Sequence, residues 1–177
     1  FESTTLHNVL KGIDDLKLNC KKIVIVPAYD KETIDSIKKF DCRISIQKGE
    51  GFGNALIQGL NESDTEYSCI FNADGSFDPK YLIEMLDECK NNNDFIFSSR
   101  YSKNGGTQDD TILTYVGNRI FSFIGKFFFR LGVDDILYTF VLGKTNSFKK
   151  LNIRSKDFRF CVELPILAKR SQMKIQN

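Results

Sequence analysis

Histidine is nearly missing from this sequence: His7 stands alone among 177 residues. One imidazole leaves almost no material for a Ser-His nucleophile or a His-bound metal centre. No stretch approaches the roughly eighteen uninterrupted apolar residues of a membrane-spanning helix. Neither sign of charge dominates, with 25 Lys and Arg against 23 Asp and Glu and a net of +2, so bulk charge gives no case for a nucleic-acid partner. Cys20, Cys42, Cys69, Cys89 and Cys161 are odd in number, lie far apart and form no C-x-x-C pair. A zinc site or disulfide scaffold is therefore not expected, and a reducing, cytoplasmic compartment fits. What is present, 41% hydrophobic and 27% charged residues with 12 Gly and 3 Pro, suits one globular domain over residues 1–177 and excludes disordered, collagen-like and coiled-coil chains. The start at Phe1 and the strand-like end at Met173–Asn177 read as those of a fragment, and no signal peptide is visible.

Strand and helix signals alternate along the first hundred residues. Leu6, Val9, Leu10 and Ile13 recur at helical spacing within Thr4 to Leu18. Lys22 to Val26 is a β-branched run stopped by Pro27, which reads as a buried strand. Further strands are expected at Arg43–Ile46, Tyr67–Phe71 and Asp94–Phe97, with helices around Ile34 and Ile37, over Ala55–Leu60 and over Lys80–Cys89. This rhythm predicts an α/β fold, a three-layer α/β/α arrangement around a mostly parallel sheet. After Arg100 the rhythm breaks into a polar loop and then a long helical stretch from Leu113 to Leu131.

Ligands of open α/β sheets bind beyond the carboxyl ends of the strands, and four such ends carry informative residues. Pro27-Ala28-Tyr29-Asp30 ends the first strand, with Tyr29 offering a flat face to a base or sugar; an ordinary turn explains it equally well. Lys48 to Ala55 places Gly49, Gly51 and Gly53 at alternate positions before Asn54, which permits close approach of backbone to ligand or a merely flexible turn. It resembles a dinucleotide fingerprint only loosely, the third glycine falling one position early. Asn72-Ala-Asp74-Gly75 follows the third strand, where Asp74 is placed to hold a hard divalent cation through oxygen. Asp78 reads as the cap of the next helix, with Pro79 at its first position. Arg100, at the end of the fourth strand, suits bidentate phosphate binding or a surface ion pair.

Taken in order, these segments resemble glycosyltransferase family 2, the GT-A-fold transferases, and in particular the polyprenyl-phosphate branch similar to dolichyl-phosphate-mannose synthase. Residues 2–10 resemble N-E-x-x-T-L-x-x-V-L; 49–55 resemble the family's glycine loop; 72–79 resemble its D-x-D metal and diphosphate motif with the trailing D-P. Ser99-Arg100-Tyr101 with Gly105-Gly106, Gly117-Asn118-Arg119, Asp135 and residues 157–164 resemble later elements of the same series. Three departures stand out. The family's first strand is missing if residues 1–2 are the remnant of the loop after it; alternatively Val26–Asp30 is that strand's own motif and a βα unit has been lost. The former fits the preceding helix and the later spacing better. The first aspartate of D-x-D is Asn72, and Thr139 stands where the family has a glycine before an aromatic.

The resemblance implies an inverting transfer of sugar from a UDP- or GDP-linked donor to a lipid-phosphate acceptor, in cell-envelope polysaccharide or glycolipid synthesis. It implies donor contacts on Pro27, Ala28, Tyr29, Asp30, Gly51, Gly53, Asn54, Asn72 and Asp74, with Mg2+ or Mn2+ at Asp74 and Asn72. It puts acceptor-phosphate contacts on Arg100, Arg119 and Ser122, and the acceptor and membrane side on residues 100–177. An anionic acceptor needs no general base, in keeping with the shortage of histidine. Residues 119–131, rich in Phe and flanked by Lys126 and Arg130, suit a helix lying in the membrane interface at its cytoplasmic face, or one buried in the core or against a second subunit of a homo-oligomer. Two alternatives stay open: a catalytically weakened or inactive binding domain of the same fold, motivated by Asn72, and a Rossmann-like nucleotide enzyme, motivated by the glycine loop.

Overall fold

The computed structural model describes residues 3–100 and 132–177. Helix α1 (Ser3–Asp15) buries Leu6, Val9 and Leu10 along the face their spacing predicts. Strand β1 (Ile23–Val26) lies parallel to β2 (Arg43–Ile46), and α2 (Lys31–Ile37) makes the crossover between them. Helix α3 (Phe52–Glu62) leads to β3 (Tyr67–Ile70), and α4 (Tyr81–Lys90) to β4 (Phe95–Phe97). The last third adds β5 (Val141–Lys144), α5 (Thr145–Lys150), α6 (Phe160–Arg170) and β6 (Ile175–Gln176). The long helical stretch expected at 113–131 lies outside the described residues.

Four strands form one sheet in the order β3-β5-β4-β6, in which β5 alone runs against the others. Gly143 allows that insertion. A methyl group there would come within 2.4 Å of the Phe95 ring and 2.7 Å of the Asp94 carbonyl, so only glycine lets β5 sit flush on β4. Phe95, Phe97, Val141, Phe148, Phe160 and Leu164 bury one face, while Phe77, Leu82, Met85, Ile96, Phe140 and Leu142 bury the other. Helices on both faces of this sheet confirm the α/β class.

The sheet is not continuous. β1 and β2 stand as a separate pair, with no hydrogen bond to β3. The Arg43 and Gln47 amides donate to Lys22 and Val26, which directs alternate residues of β1 toward β2 and leaves Ile23 and Ile25 facing an unpaired edge. Helix α1 bridges the break. Leu6 and Leu10 pack with Ile37, Val24 and Ile44 beside the small sheet, and Ile13 packs into the core of the large one.

The start of α4 differs from expectation. Its cap position falls at Lys80 rather than Asp78, and Pro79 precedes the helix. Asp78 still serves the turn, because its carboxylate accepts the Lys80 amide at 3.0 Å.

Candidate functional site

All four candidate segments follow the carboxyl ends of strands. After β1, Asp30 caps α2, its Oδ1 accepting the Thr33 amide at 3.1 Å. Tyr29 projects into solvent, 87% exposed, and Ala28 is exposed beside it. Pro27 contributes a carbonyl that accepts the Asp30 amide. Gln47 ties this end to the glycine loop: its backbone amide donates to Val26, and its side chain donates to the Gly51 carbonyl at 3.0 Å and to Asn54 at 3.3 Å.

The glycine loop meets its own chain. Gly51, at φ +94° and ψ 156°, precedes α3, and a Cβ there would lie 2.4 Å from the Lys156 carbonyl oxygen. A Cβ on Gly53 would lie 2.4 Å from the Ser155 carbonyl oxygen and 2.8 Å from that of Asp157. The Asn54 amide donates to Lys156 at 2.9 Å. The close approach that alternate glycines permit is therefore made by backbone 155–157, so the dinucleotide reading lacks its pyrophosphate cradle.

That backbone is fixed in turn by Glu163, whose carboxylate accepts the Ser155 amide at 2.7 Å and the Arg154 amide at 3.2 Å. Partial burial opposes ionisation of Glu163, but the hydrogen bonds from Ser155 and Arg154 outweigh it and hold the carboxyl below its usual range. A carboxyl lowered on folding stabilises above its unfolded value, about 4.3, and loses that contribution as pH falls through the folded value. Urea unfolding between about pH 5 and about pH 3 should accordingly show a steeper loss of stability for the native chain than for Glu163→Gln. Equal slopes would remove Glu163 from the acid response.

After β3, Gly75 at φ +78° closes a tight turn. Asp74, exposed, turns Oδ1 back to accept the Ser76 amide at 2.9 Å and the Ser76 hydroxyl at 2.6 Å. Its second oxygen makes no hydrogen bond among the described residues. Asn72 is half-buried at the base of the same turn. Among the described residues no three His, Cys, Asp or Glu side chains cluster as a metal cage. The donor set is thus one carboxylate oxygen and one amide, which suits a hard cation that takes its remaining ligands from phosphate and water.

After β4, Arg100 donates to Asp135 through Nε at 2.8 Å and Nη2 at 3.1 Å. Asp135 is fully buried, and a fifth of the Arg100 side chain is exposed. Tyr138 joins this pair to the Asp74 turn. Its hydroxyl donates to the Ser76 carbonyl at 3.2 Å, and the guanidinium lies 5.1 Å from its ring centre. Burial pushes the Tyr138 phenol up to about 12, with Arg100 pulling the other way. The structure thus brings the Asn72–Ser76 turn and Arg100 into one network, while the glycine loop joins residues 154–157 instead. Arg119 and Ser122 lie outside the described residues.

Tyr138 was not singled out by the sequence. The available signal was Asp135, an acid between apolar Val133 and Ile136 that needs a cation once buried. A shallow pocket lined by Ile57, Leu60, Phe148, Lys149, Asn152 and Ile153 opens between α3 and α5, away from this network. Its Lys149 ammonium donates to the Ser63 carbonyl at 2.7 Å.

In open α/β domains ligands bind beyond the carboxyl ends of the strands, which is where the polar groups of this chain collect. The sequence matches the profile described as Glycosyl transferase family 2 over residues 3–151, and the chain belongs to that family. A solved structure titled "Crystal Structure of a Mycobacterial Protein" superposes with a TM-score of 0.68 at 13% identity. The superposition covers 98% of this chain and 60% of that one, so this chain spans less than two thirds of the mycobacterial protein. Among the described residues, no helix is long and apolar enough to cross a membrane.

Proposed function

We propose that this chain transfers a sugar, with inversion, from a UDP- or GDP-linked donor to a polyprenyl phosphate. The observation that carries the reading is Asp74, set just past β3 with one oxygen bound to its own turn and the other uncommitted among the described residues. Asp74 and Asn72 would hold Mg2+ or Mn2+ against the donor diphosphate, and that ion would neutralise charge developing on the leaving group. Tyr138 keeps the turn in register with Arg100, the acceptor-side cation, whose guanidinium Asp135 holds in a fixed plane. The acceptor phosphate is already a nucleophile, so the residues position and neutralise rather than remove a proton.

Calorimetry with UDP- and GDP-sugars, with and without Mn2+, tests this. Metal-dependent donor binding is expected, and Asp74→Ala should weaken it by at least the roughly 10–100-fold that losing even an outer-shell partner of a metal costs. No binding of either donor with Mn2+ present would overturn the proposal, and unchanged affinity in Asp74→Ala would remove its metal role.

A second reading has its own support. Asn72 is neutral, Asp74 Oδ1 is engaged by Ser76, and the glycine loop is filled by residues 155–157, as in a binding domain that keeps the fold without donor chemistry. Asn72→Asp separates the two. A gain in Mn2+ affinity favours the transferase, and no gain favours the binding domain.

A further inference from the structure

Charge is unevenly spread along the chain. Residues 144–177 hold nine of its 25 Lys and Arg but only two of its 23 acids, Asp157 and Glu163. Both acids are occupied: Asp157 binds Arg159 at 2.8 Å, and Glu163 binds the backbone of 154–155. Arg154 and Lys156 are exposed on that same segment, and Lys48 is exposed at the entrance of the glycine loop lying against it. Neither lysine forms an ion pair among the described residues, and the nearest acid in the loop is exposed Glu50.

Between these cations stands an aromatic pair. Phe158 is 71% exposed and stacks on Phe52, ring centres 4.6 Å apart and planes within 7°. The pair is held rigidly, because the Asn54 amide binds Lys156 on one side and Glu163 binds Ser155 on the other. Phe158 is thus a water-exposed aromatic on a fixed loop beside Lys48, Arg154 and Lys156, none of which makes a direct ion pair among the described residues, Glu163 bonding only to the Arg154 backbone.

We propose that this rim, Lys48, Arg154, Lys156 and Phe158 over Phe52, docks the protein on an anionic bilayer surface, the cations meeting headgroups and Phe158 entering the acyl boundary. Charge complementarity and the exposed aromatic carry it together, since either signal alone gives only weak membrane attachment. A single-stranded nucleic acid fits less well, because it requires a cationic groove long enough to follow several phosphates. The surface borders Gly51, Gly53 and Asn54, just beyond the carboxyl end of β2. The proposal extends the lipid-acceptor reading, yet vesicle binding is measured without donor, so each can fail separately.

The chain contains no tryptophan, and Phe158→Trp therefore installs a single reporter. With vesicles of phosphatidylcholine and about 30% phosphatidylglycerol, its emission should shift to the blue and be quenched by bromine-labelled lipid; with pure phosphatidylcholine neither should occur. In co-sedimentation, the pair Arg154→Glu and Lys156→Glu should weaken binding at least about 30-fold, roughly fivefold for each cation. Lys11→Glu, on α1, should leave binding unchanged. An unshifted emission from the Phe158→Trp variant, binding that ignores the double charge reversal, or tighter binding to single-stranded RNA than to the vesicles would each overturn the proposal.

Discussion

Arg100→Met is expected to destabilise the protein by about 3–5 kcal/mol, the cost of stranding a buried carboxylate without its cation. Asp135 is fully buried and receives two guanidinium hydrogen bonds, so removing Arg100 strands its carboxylate away from water without those partners. For a chain of this size the loss corresponds to a melting temperature lower by roughly 10 °C. The double variant Arg100→Met, Asp135→Leu should recover much of it, because two apolar partners leave nothing polar unsatisfied. Calorimetric melting of both variants checks this. A cost under about 1 kcal/mol for the single change would mean that Asp135 is not sealed from water.

Gly51→Ala should cost about 3 kcal/mol. Its backbone at φ +94° and ψ 156° is a region that side chains scarcely enter, and the new methyl would meet the Lys156 carbonyl at 2.4 Å. Relief requires backbone 155–157 to withdraw from α3, which breaks the bond from the Asn54 amide. Faster hydrogen exchange at Asn54 than in the native chain is the local sign of that movement, alongside a lower melting temperature. Unchanged exchange at Asn54 would show that the loop accommodates the methyl by another route.

These two positions mark different degrees of legibility. Arg100 was visible at a strand end as a phosphate ligand or an ion-pair partner, and the structure adds its partner Asp135, 35 residues away. The glycine loop was visible as a place where backbones approach closely. What approaches is residues 155–157, far along the chain, which no local pattern can show. Asp74 was legible as an acid held past a buried strand. Its bond to Ser76, two residues along, is an ordinary Asx turn, and the donor experiment decides how much its second oxygen does.

Local chemistry in the sequence determined the elements of the first hundred residues. Apolar spacing placed α1, a β-branched run placed β1, short strand-like runs placed β2 to β4, and turn residues ended them, because side-chain periodicity and backbone preference act over a few neighbours. Only the tertiary structure decided what lies beside what. It inserted β5 against the direction of its neighbours, divided the sheet beneath α1, and set Tyr138 between the Asp74 turn and Arg100. Those arrangements depend on contacts between residues distant in sequence, such as the fit of Gly143 against Phe95, whose energy arises only when the pieces meet.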